Sequence, residues 1–372
     1  MRTLTVAATP FFSDRGCHIR IYNEAKYLEK MGARTRLCTY HLGENVAGLD
    51  IKRIGKVSWY KKIFPGFHWG KIWLDWKLLF LTRREIRNFE PNAIHAHLYE
   101  GLAIGYLAKK LAFRGNIPII FDLQGNLDEE FASYSKKNKL AQKLFFWFSN
   151  IIIKWADRIV VSSENVKVPH AEVVRDGVDF DLFQNPPELS SGDREKIEKI
   201  KEWQGDRRLL IYIGGLSDNK GTGDLLKSFS KLRNSGWKLL LGGFGSDEEK
   251  YKKYADENEL KNLVYFAGKL NYFSLPHYLA LADAAIDPKK DSTESSGKLV
   301  NYMAAGLPII CFDSEFNRAR LGGKGFYLKF FDNLPETLEK IKGMEKIDYD
   351  LENLNEEKEI RKLYEIFQSI ID

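Results

Sequence analysis

Cysteine is scarce: the chain has three, Cys17, Cys38 and Cys311, odd in number and widely spaced. They make no disulfide framework and no cysteine-rich metal site, and a reducing compartment is expected. Long apolar runs are missing too. No uninterrupted stretch is long enough to span a bilayer, and residues 1–10 are a short strand-like run without the apolar core of a signal peptide. There is no internal repeat and no low-complexity tract. The excess of one charge sign is small, 57 Lys+Arg against 51 Asp+Glu, or +6. Such a balance suits an anionic ligand or a membrane surface rather than sequence-specific nucleic acid, and no nucleic-acid partner is expected.

What is present is ordinary for a globular protein, with 44% hydrophobic and 29% charged residues. A length of 372 residues exceeds one typical core, so two domains are expected. In the first half, short apolar runs alternate with helical patterns. Leu4 to Ala8 reads as a buried strand, Ile19 to Lys30 as a helix, and Thr35 to Thr39 as the next strand. Gly16 stands at the loop-to-helix junction of this βαβ unit, where backbone amides can meet a ligand; a full G-x-G-x-x-G fingerprint is not there. Ala93 to His97 is a strand that carries His95 and His97 on one side. Two histidines can ligate a metal, but no third ligand stands near them in sequence, so His97 is read as a hydrogen-bonding group of the site and His95 as structural. Ile117 to Leu123 and Arg158 to Ser163 are further strands. Asp179 and Asp181 form an Asp-x-Asp pair in what reads as a turn, and no metal site is expected.

Residues 59–89 interleave Trp59, Trp69, Trp73, Trp76 and Phe80 with Lys61, Lys71, Lys77, Arg83 and Arg84. Residues 136–155 repeat the theme with Phe145, Trp147 and Trp155. Both stretches fit a surface that meets lipid head groups, and both fit helices whose aromatic face packs in its own domain. Residues 185–208, polar and with Pro186-Pro187, read as the connection between domains.

A second α/β series starts at Leu209, with glycines after its strands: Gly214-Gly215 leading to Lys220, Gly243-Phe244-Gly245, then Gly268-Lys269-Leu270. Strand ends of this kind present backbone to a nucleotide. The most telling stretch is Asp287 to Asp313. Ser296 suits a helix N-cap, Gly297 and Lys298 follow, and Gly306 and Pro308 close the helix before a strand at Ile309 to Phe312. Amides at such an N-terminus with a lysine beside them make a seat for a diphosphate. A plain capped helix packing on a sheet has the same local pattern.

Read in order, these residues resemble the GT-B glycosyltransferases of family 4, over nearly the whole chain. The marks are Pro10 through Gly16, the strand with His97, Val174 through Phe183, Tyr212 through Gly221, Gly243-Phe244-Gly245, Phe266 through Leu270, Leu281-Ala282-Asp283 and Ser296 through Pro308. The resemblance implies an α/β protein of two Rossmann-like, doubly wound domains facing across a cleft: 1–184 for the acceptor, 209–355 for the nucleotide sugar, and a last helix, 356–372, packing back on the first. It implies a retaining transferase that uses a UDP- or GDP-sugar as donor, with no cofactor and no metal. The acceptor would be a cell-envelope glycan, polysaccharide or lipid-linked sugar. A cytoplasmic enzyme, peripheral on the inner face of the membrane through 59–89 and 136–155, would fit.

Carried onto this chain, the resemblance gives His97, Lys220 and Glu294 as catalytic. It gives Gly16, Gly214, Gly215, Lys220, Gly243, Lys269, Leu270, Ser296, Gly297, Lys298 and Asn301 as contacts of the donor. Three positions depart from the family pattern. Gly215 replaces an arginine before the lysine of the glycine-rich loop. Asn301 replaces the glutamate that holds ribose, and the companion glutamate falls near Thr293 or Glu294. Asp176 replaces an asparagine. The alternatives left open are another GT-B enzyme, such as a nucleotide-sugar epimerase, and a non-catalytic nucleotide-sugar binder.

Overall fold

The structure, a computed structural model, describes residues 1–13, 16–63, 68–124, 147, 149–163, 166, 168–290 and 297–371. Two compact units emerge. One comprises Met1–Asp176 with Glu356–Asp372, the other Gly177–Asn355.

The first unit is built on seven strands: β1 (Arg2–Ala7), β2 (Arg34–Thr39), β3 (Ile51–Arg53), β4 (Ala93–His97), β5 (Ile119–Leu123), β6 (Arg158–Val161) and β7 (Glu172–Val173). They lie in the order β3-β2-β1-β4-β5-β6-β7. Every pairing is parallel. A parallel sheet is covered on both faces, which is why its strands read as continuous apolar runs. Because side chains alternate, the two faces separate by parity. Leu4, Val6, Ile94, Ala96, Ile119 and Phe121 meet Leu74 and Leu78 of helix Gly70–Phe89 and Leu102 of helix Leu98–Leu111. Ala93, Ile120 and Val160 point the other way. They meet Tyr27 and Leu28 of helix Gly16–Lys30, and Ile360, Leu363 and Phe367 of helix Glu356–Ile371.

The second unit repeats the plan with β8 (Arg208–Ile213), β9 (Trp237–Gly242), β10 (Val264–Gly268), β11 (Ala284–Asp287), β12 (Ile309–Phe312) and β13 (Phe326–Leu328). Their order is β10-β9-β8-β11-β12-β13, again parallel throughout. Both sheets reverse direction of growth beside their first strand, between β1 and β4 and between β8 and β11. Such a switch point leaves a crevice at the carboxyl ends of the strands.

The expected connection at 185–208 is largely a helix, Ser191–Gln204, and it belongs to the second unit. Ser190 caps it by accepting from Asp193 N. The Asp193 carboxylate then accepts from Ser274 Oγ (2.9 Å) and Tyr278 Oη (2.8 Å), and Ile197 and Ile200 are buried. The segment reads as linker because its many charges face solvent, while only a thin apolar stripe faces the unit. By contacts the first passage between units falls at Asp176/Gly177, earlier than residue 184.

Candidate functional site

At the switch point of the second unit, β8 runs out into Gly214-Gly215 and β11 ends at Asp287. Gly214 N donates to Gly242 O (2.9 Å) and Gly243 N to Gly268 O (2.7 Å), so these two amides extend the sheet. Their glycines serve close approach instead. A Cβ on Gly243 would stand 2.0 Å from Gly214 O, and one on Gly245 would stand 2.1 Å from Leu216 O. The chain beyond Gly215 folds back in a turn, Asp218–Lys220. Asp218 ties it down, accepting from Lys250 Nζ (2.6 Å) and Tyr251 Oη (2.8 Å). Gly221 closes the turn at φ 78°, and a Cβ there would stand 2.0 Å from Pro288 O. Only glycine fits a left-handed position pressed so closely on another strand's exit.

Two lysines flank the diglycine. A Cβ on Gly214 would come within 3.2 Å of Lys298 Cε, and one on Gly215 within 3.9 Å of Lys220 Cγ. Lys298 Nζ donates to Asp287 Oδ1 at 3.2 Å and lies over the Tyr212 ring at 5.7 Å. Tyr212 Oη donates to Gly215 O (2.9 Å), and burial pushes that phenol above its ordinary range. Tyr302 Oη accepts from Ile213 N (2.9 Å), pinning helix Gly297–Ala304 to the end of β8. Gly214, Gly215, Lys220, Gly297 and Lys298 are thus gathered at one strand-end crevice, with exposed backbone at Gly215 and Gly297. Asp287, which holds the lysine ammonium in place, was not assigned a role from sequence; its position at the end of β11 is the signal.

Other expected contacts fall differently. Leu270 is buried, and a Cβ on Gly242 would meet its Cδ1 at 2.5 Å, so this side chain packs under the strand end. Lys269 is exposed, and its carbonyl accepts from Lys196 Nζ (2.8 Å). Asn301 is half-buried, one turn beyond Lys298. Glu294 and Ser296 lie outside the described residues. Gly16 opens helix Gly16–Lys30 with open space where a Cβ would be.

In the first unit His97, expected at the sugar, has a wholly buried ring. The physical reason is parity. His95, His97 and Asp122 share the face of Ala93 and Ile120, and helix Gly16–Lys30 covers it. His97 Nδ1 donates to Asp122 Oδ2 (3.0 Å), and its Nε2 is 3.5 Å from Glu24 Oε2. Arg20 binds Asp122 through Nε (2.9 Å) and Nη2 (2.9 Å), and through Nη1 it reaches Val174 O (2.9 Å) and Asp176 Oδ1 (2.8 Å). Its Nη2 is 3.2 Å from Glu24 Oε1. Burial disfavours the Asp122 carboxylate, but Arg20 and the His97 bond outweigh it and hold this acid well below the usual range. Burial, with the Asp122 charge added, pushes Glu24 well up. Burial, with His97 beside it, keeps His95 neutral. Arg20, Glu24 and Asp122 were missed from sequence because their pairing joins residues 102 apart. The one local signal is a pair of charges, Arg20 and Glu24, four apart on a helix face shared with Ile21, Ala25 and Leu28.

Helix Gly70–Phe89 buries Leu74, Leu78 and Leu81 and presents Trp69, Ile72, Trp73, Trp76 and Phe80 outward. Trp69 is 75% exposed, Trp73 54% and Trp76 56%. This aromatic face is therefore not packed in its own domain. Of the second basic-aromatic stretch, Phe145 lies outside the described residues, Trp147 is exposed, and Trp155 stacks on Tyr106 at 4.6 Å. No helix among the described residues is long and apolar enough to cross a membrane.

Residues 193–341 match the family model described as Glycosyl transferases group 1, and residues 15–179 match that of Glycosyltransferase Family 4. A glycosyltransferase of Methanocaldococcus jannaschii, named as uncharacterized, is 26% identical over 313 residues, 77% of this chain and 76% of that protein. A putative teichuronic acid biosynthesis glycosyltransferase of Bacillus subtilis, TuaC, is 23% identical over 61% of this chain and 54% of its own length. Among solved structures, Anabaena HepE in complex with UDP and glucose superposes with a TM-score of 0.69 at 15% identity, covering 100% of this chain and 97% of that one. Sucrose-phosphate synthase from Thermosynechococcus elongatus superposes at 0.71 with 14% identity, covering 100% and 96%. At such identities these structures establish the GT-B fold.

Proposed function

The chain belongs to the family 4, group 1 glycosyltransferases of GT-B fold, and on that premise we propose that it moves a hexose from a UDP- or GDP-sugar to a glycan or lipid-linked acceptor of the cell envelope, with retention at the anomeric carbon. The observation that carries the reading is the strand-end seat of the second unit, where Lys220 and Lys298 flank Gly214-Gly215 beside the first turn at Gly297. The bond between the anomeric carbon and the diphosphate breaks. The acceptor oxygen bonds to that carbon on the same face, and its proton leaves with the phosphate. Negative charge grows on the diphosphate, and fixed cations and amides stabilise it without reorganising. Asp287 holds Lys298 toward the diglycine, which takes the place of a side-chain grip at Gly215. Asn301 takes the ribose, and the exposed edge at Lys269 borders the base. Isothermal titration with UDP and GDP in chelator tests the seat, and NMR of the product's anomeric proton tests retention. Binding that returns only with added magnesium or manganese overturns the metal-free seat.

The aromatic face of helix Gly70–Phe89 supports a second element of the proposal, docking on an anionic membrane. Indole rings suit the interfacial layer, and lysines nearby add attraction that salt screens. Sedimentation with anionic vesicles should fall at high salt, and by about tenfold or more in a Trp73→Ala/Trp76→Ala double variant. Equal sedimentation of the parent with anionic and zwitterionic vesicles at low salt removes the charge argument.

A further inference from the structure

The strongest unexplained feature of the first unit is the polar set beneath the carboxyl end of β4. Glu24, His95 and His97 bring one ligand atom each within 4.8 Å of the others, and all three residues are buried. His97 Nε2 and His95 Nε2 stand 3.5 and 3.9 Å from Glu24 Oε2. Among the described residues, none of His95 Nε2, His97 Nε2 and Glu24 Oε2 has a hydrogen-bond partner. Three buried polar atoms without partners, all within 4.8 Å of one another, are costly unless something sits between them. The separations are too long for direct hydrogen bonds. They come close to the edge of a tetrahedral zinc site, about 3.3 Å for ligands about 2.0 Å from the ion.

We propose that Glu24, His95 and His97 bind a structural zinc ion. The surroundings are those of a metal centre. His97 Nδ1 lies 3.0 Å from the Asp122 carboxylate, an acceptor that favours the proton on Nδ1 and leaves the Nε2 lone pair for an ion. Gln124 Nε2 donates to the same Asp122 oxygen (2.9 Å). Arg20 Nη2 stands by Glu24 Oε1, leaving Oε2 for the histidines. Phe367 lies edge-on to His95 at 5.3 Å and closes the site from helix Glu356–Ile371. Such closure suits a structural ion whose fourth ligand is an enclosed water. Two imidazoles and one carboxylate favour zinc over magnesium or calcium. The sequence hides the site because its third ligand lies on a helix 71 residues before His95 (95 − 24). The site lies wholly in the first unit and is independent of the donor seat.

The test uses the full chain with any affinity tag removed. After chelator treatment it is incubated with zinc, dialysed into metal-free buffer and analysed by elemental mass spectrometry. The parent should keep about one equivalent, and Glu24→Gln and His95→Gln at least tenfold less. Zinc should raise the melting temperature of the parent and leave that of either variant unchanged. Cobalt gives a readout that needs no variant, since the ion should show the strong visible bands of a four-coordinate site in the parent. A parent that dialyses free of zinc and gives only the weak spectrum of hydrated cobalt overturns the assignment. So does equal zinc retention by folded parent and variants.

Discussion

Each unit carries a cluster of charge at the carboxyl end of its sheet, and the two clusters are answered in opposite ways. In the first unit, Arg20 Nε, Nη1 and Nη2 all meet oxygens inside the fold, and Asp122 is fully enclosed. In the second, the Lys298 side chain is 20% exposed and leans on the carboxylate of Asp287, while Lys220 is half-buried on a turn anchored by its neighbours. The same kinds of residue thus do different work. A buried set of paired charges fixes the fold, because removing a member strands a charge in a poor solvent. A half-open set stays directed at whatever enters the crevice.

Asp122→Ala should break the comparison hardest. It leaves the Arg20 guanidinium and the His97 ring without their carboxylate, and the expected loss is about 3–5 kcal/mol of stability, read from a denaturant melt. A change under about 1 kcal/mol would mean that the cluster rearranges freely. Lys220→Ala should do the reverse. Turnover should fall about 10²–10³-fold, the usual cost of one donor at a developing anion, with a melting temperature close to the parent's. Unchanged turnover takes Lys220 out of the seat.

Asp75 sharpens the comparison as an intermediate case. It accepts a bond from Tyr40 Oη, and burial, opposed by that bond and reinforced by Glu100, pushes its carboxyl up to about 6. A raised acid holds its proton longer when folded. Its contribution is present below about 3.8 and is lost as pH rises through about 6. After allowance for solvent screening the change is under about 2 kcal/mol. Asp75→Asn should flatten that decline, and stability curves of parent and variant that run parallel from pH 4 to 7 would show that Asp75 titrates alike folded and unfolded. The smallest effect is expected at Asn301→Ala, about 1 kcal/mol from both nucleotide and nucleotide-sugar binding. If titration shows equal affinity for parent and variant, the ribose lies elsewhere.

The sheets were legible where burial is two-sided. Leu209 to Ile213 and Ile309 to Phe312 announce themselves because every side chain in them is apolar or nearly so. Gly306 also marked its helix end correctly, with φ 70° and its amide on Met303 O (2.9 Å). Helix Leu98–Leu111 and strand Phe326–Leu328 were not seen. The helix follows its strand with no break after His97, and the strand is three residues long. In the site, the glycines and lysines of the second unit were readable because they are neighbours in sequence. Arg20, Glu24 and Asp287 were not, since each gains its meaning from a partner on another element.

The return of residues 356–371 to the first unit has a consequence for the order of events at the ribosome. Ile360, Leu363 and Phe367 fill a core with Ala93, Ile120 and Val160 that the opening 176 residues leave unfilled. The half synthesised first is therefore finished last, after the intervening 179 residues have had the chance to fold as their own unit. Nascent chains arrested before residue 356 should show a protease-resistant second unit beside a first unit that is still cut. Nascent chains long enough to expose residues 356–371 should then show that first unit converted to resistance in a single late step.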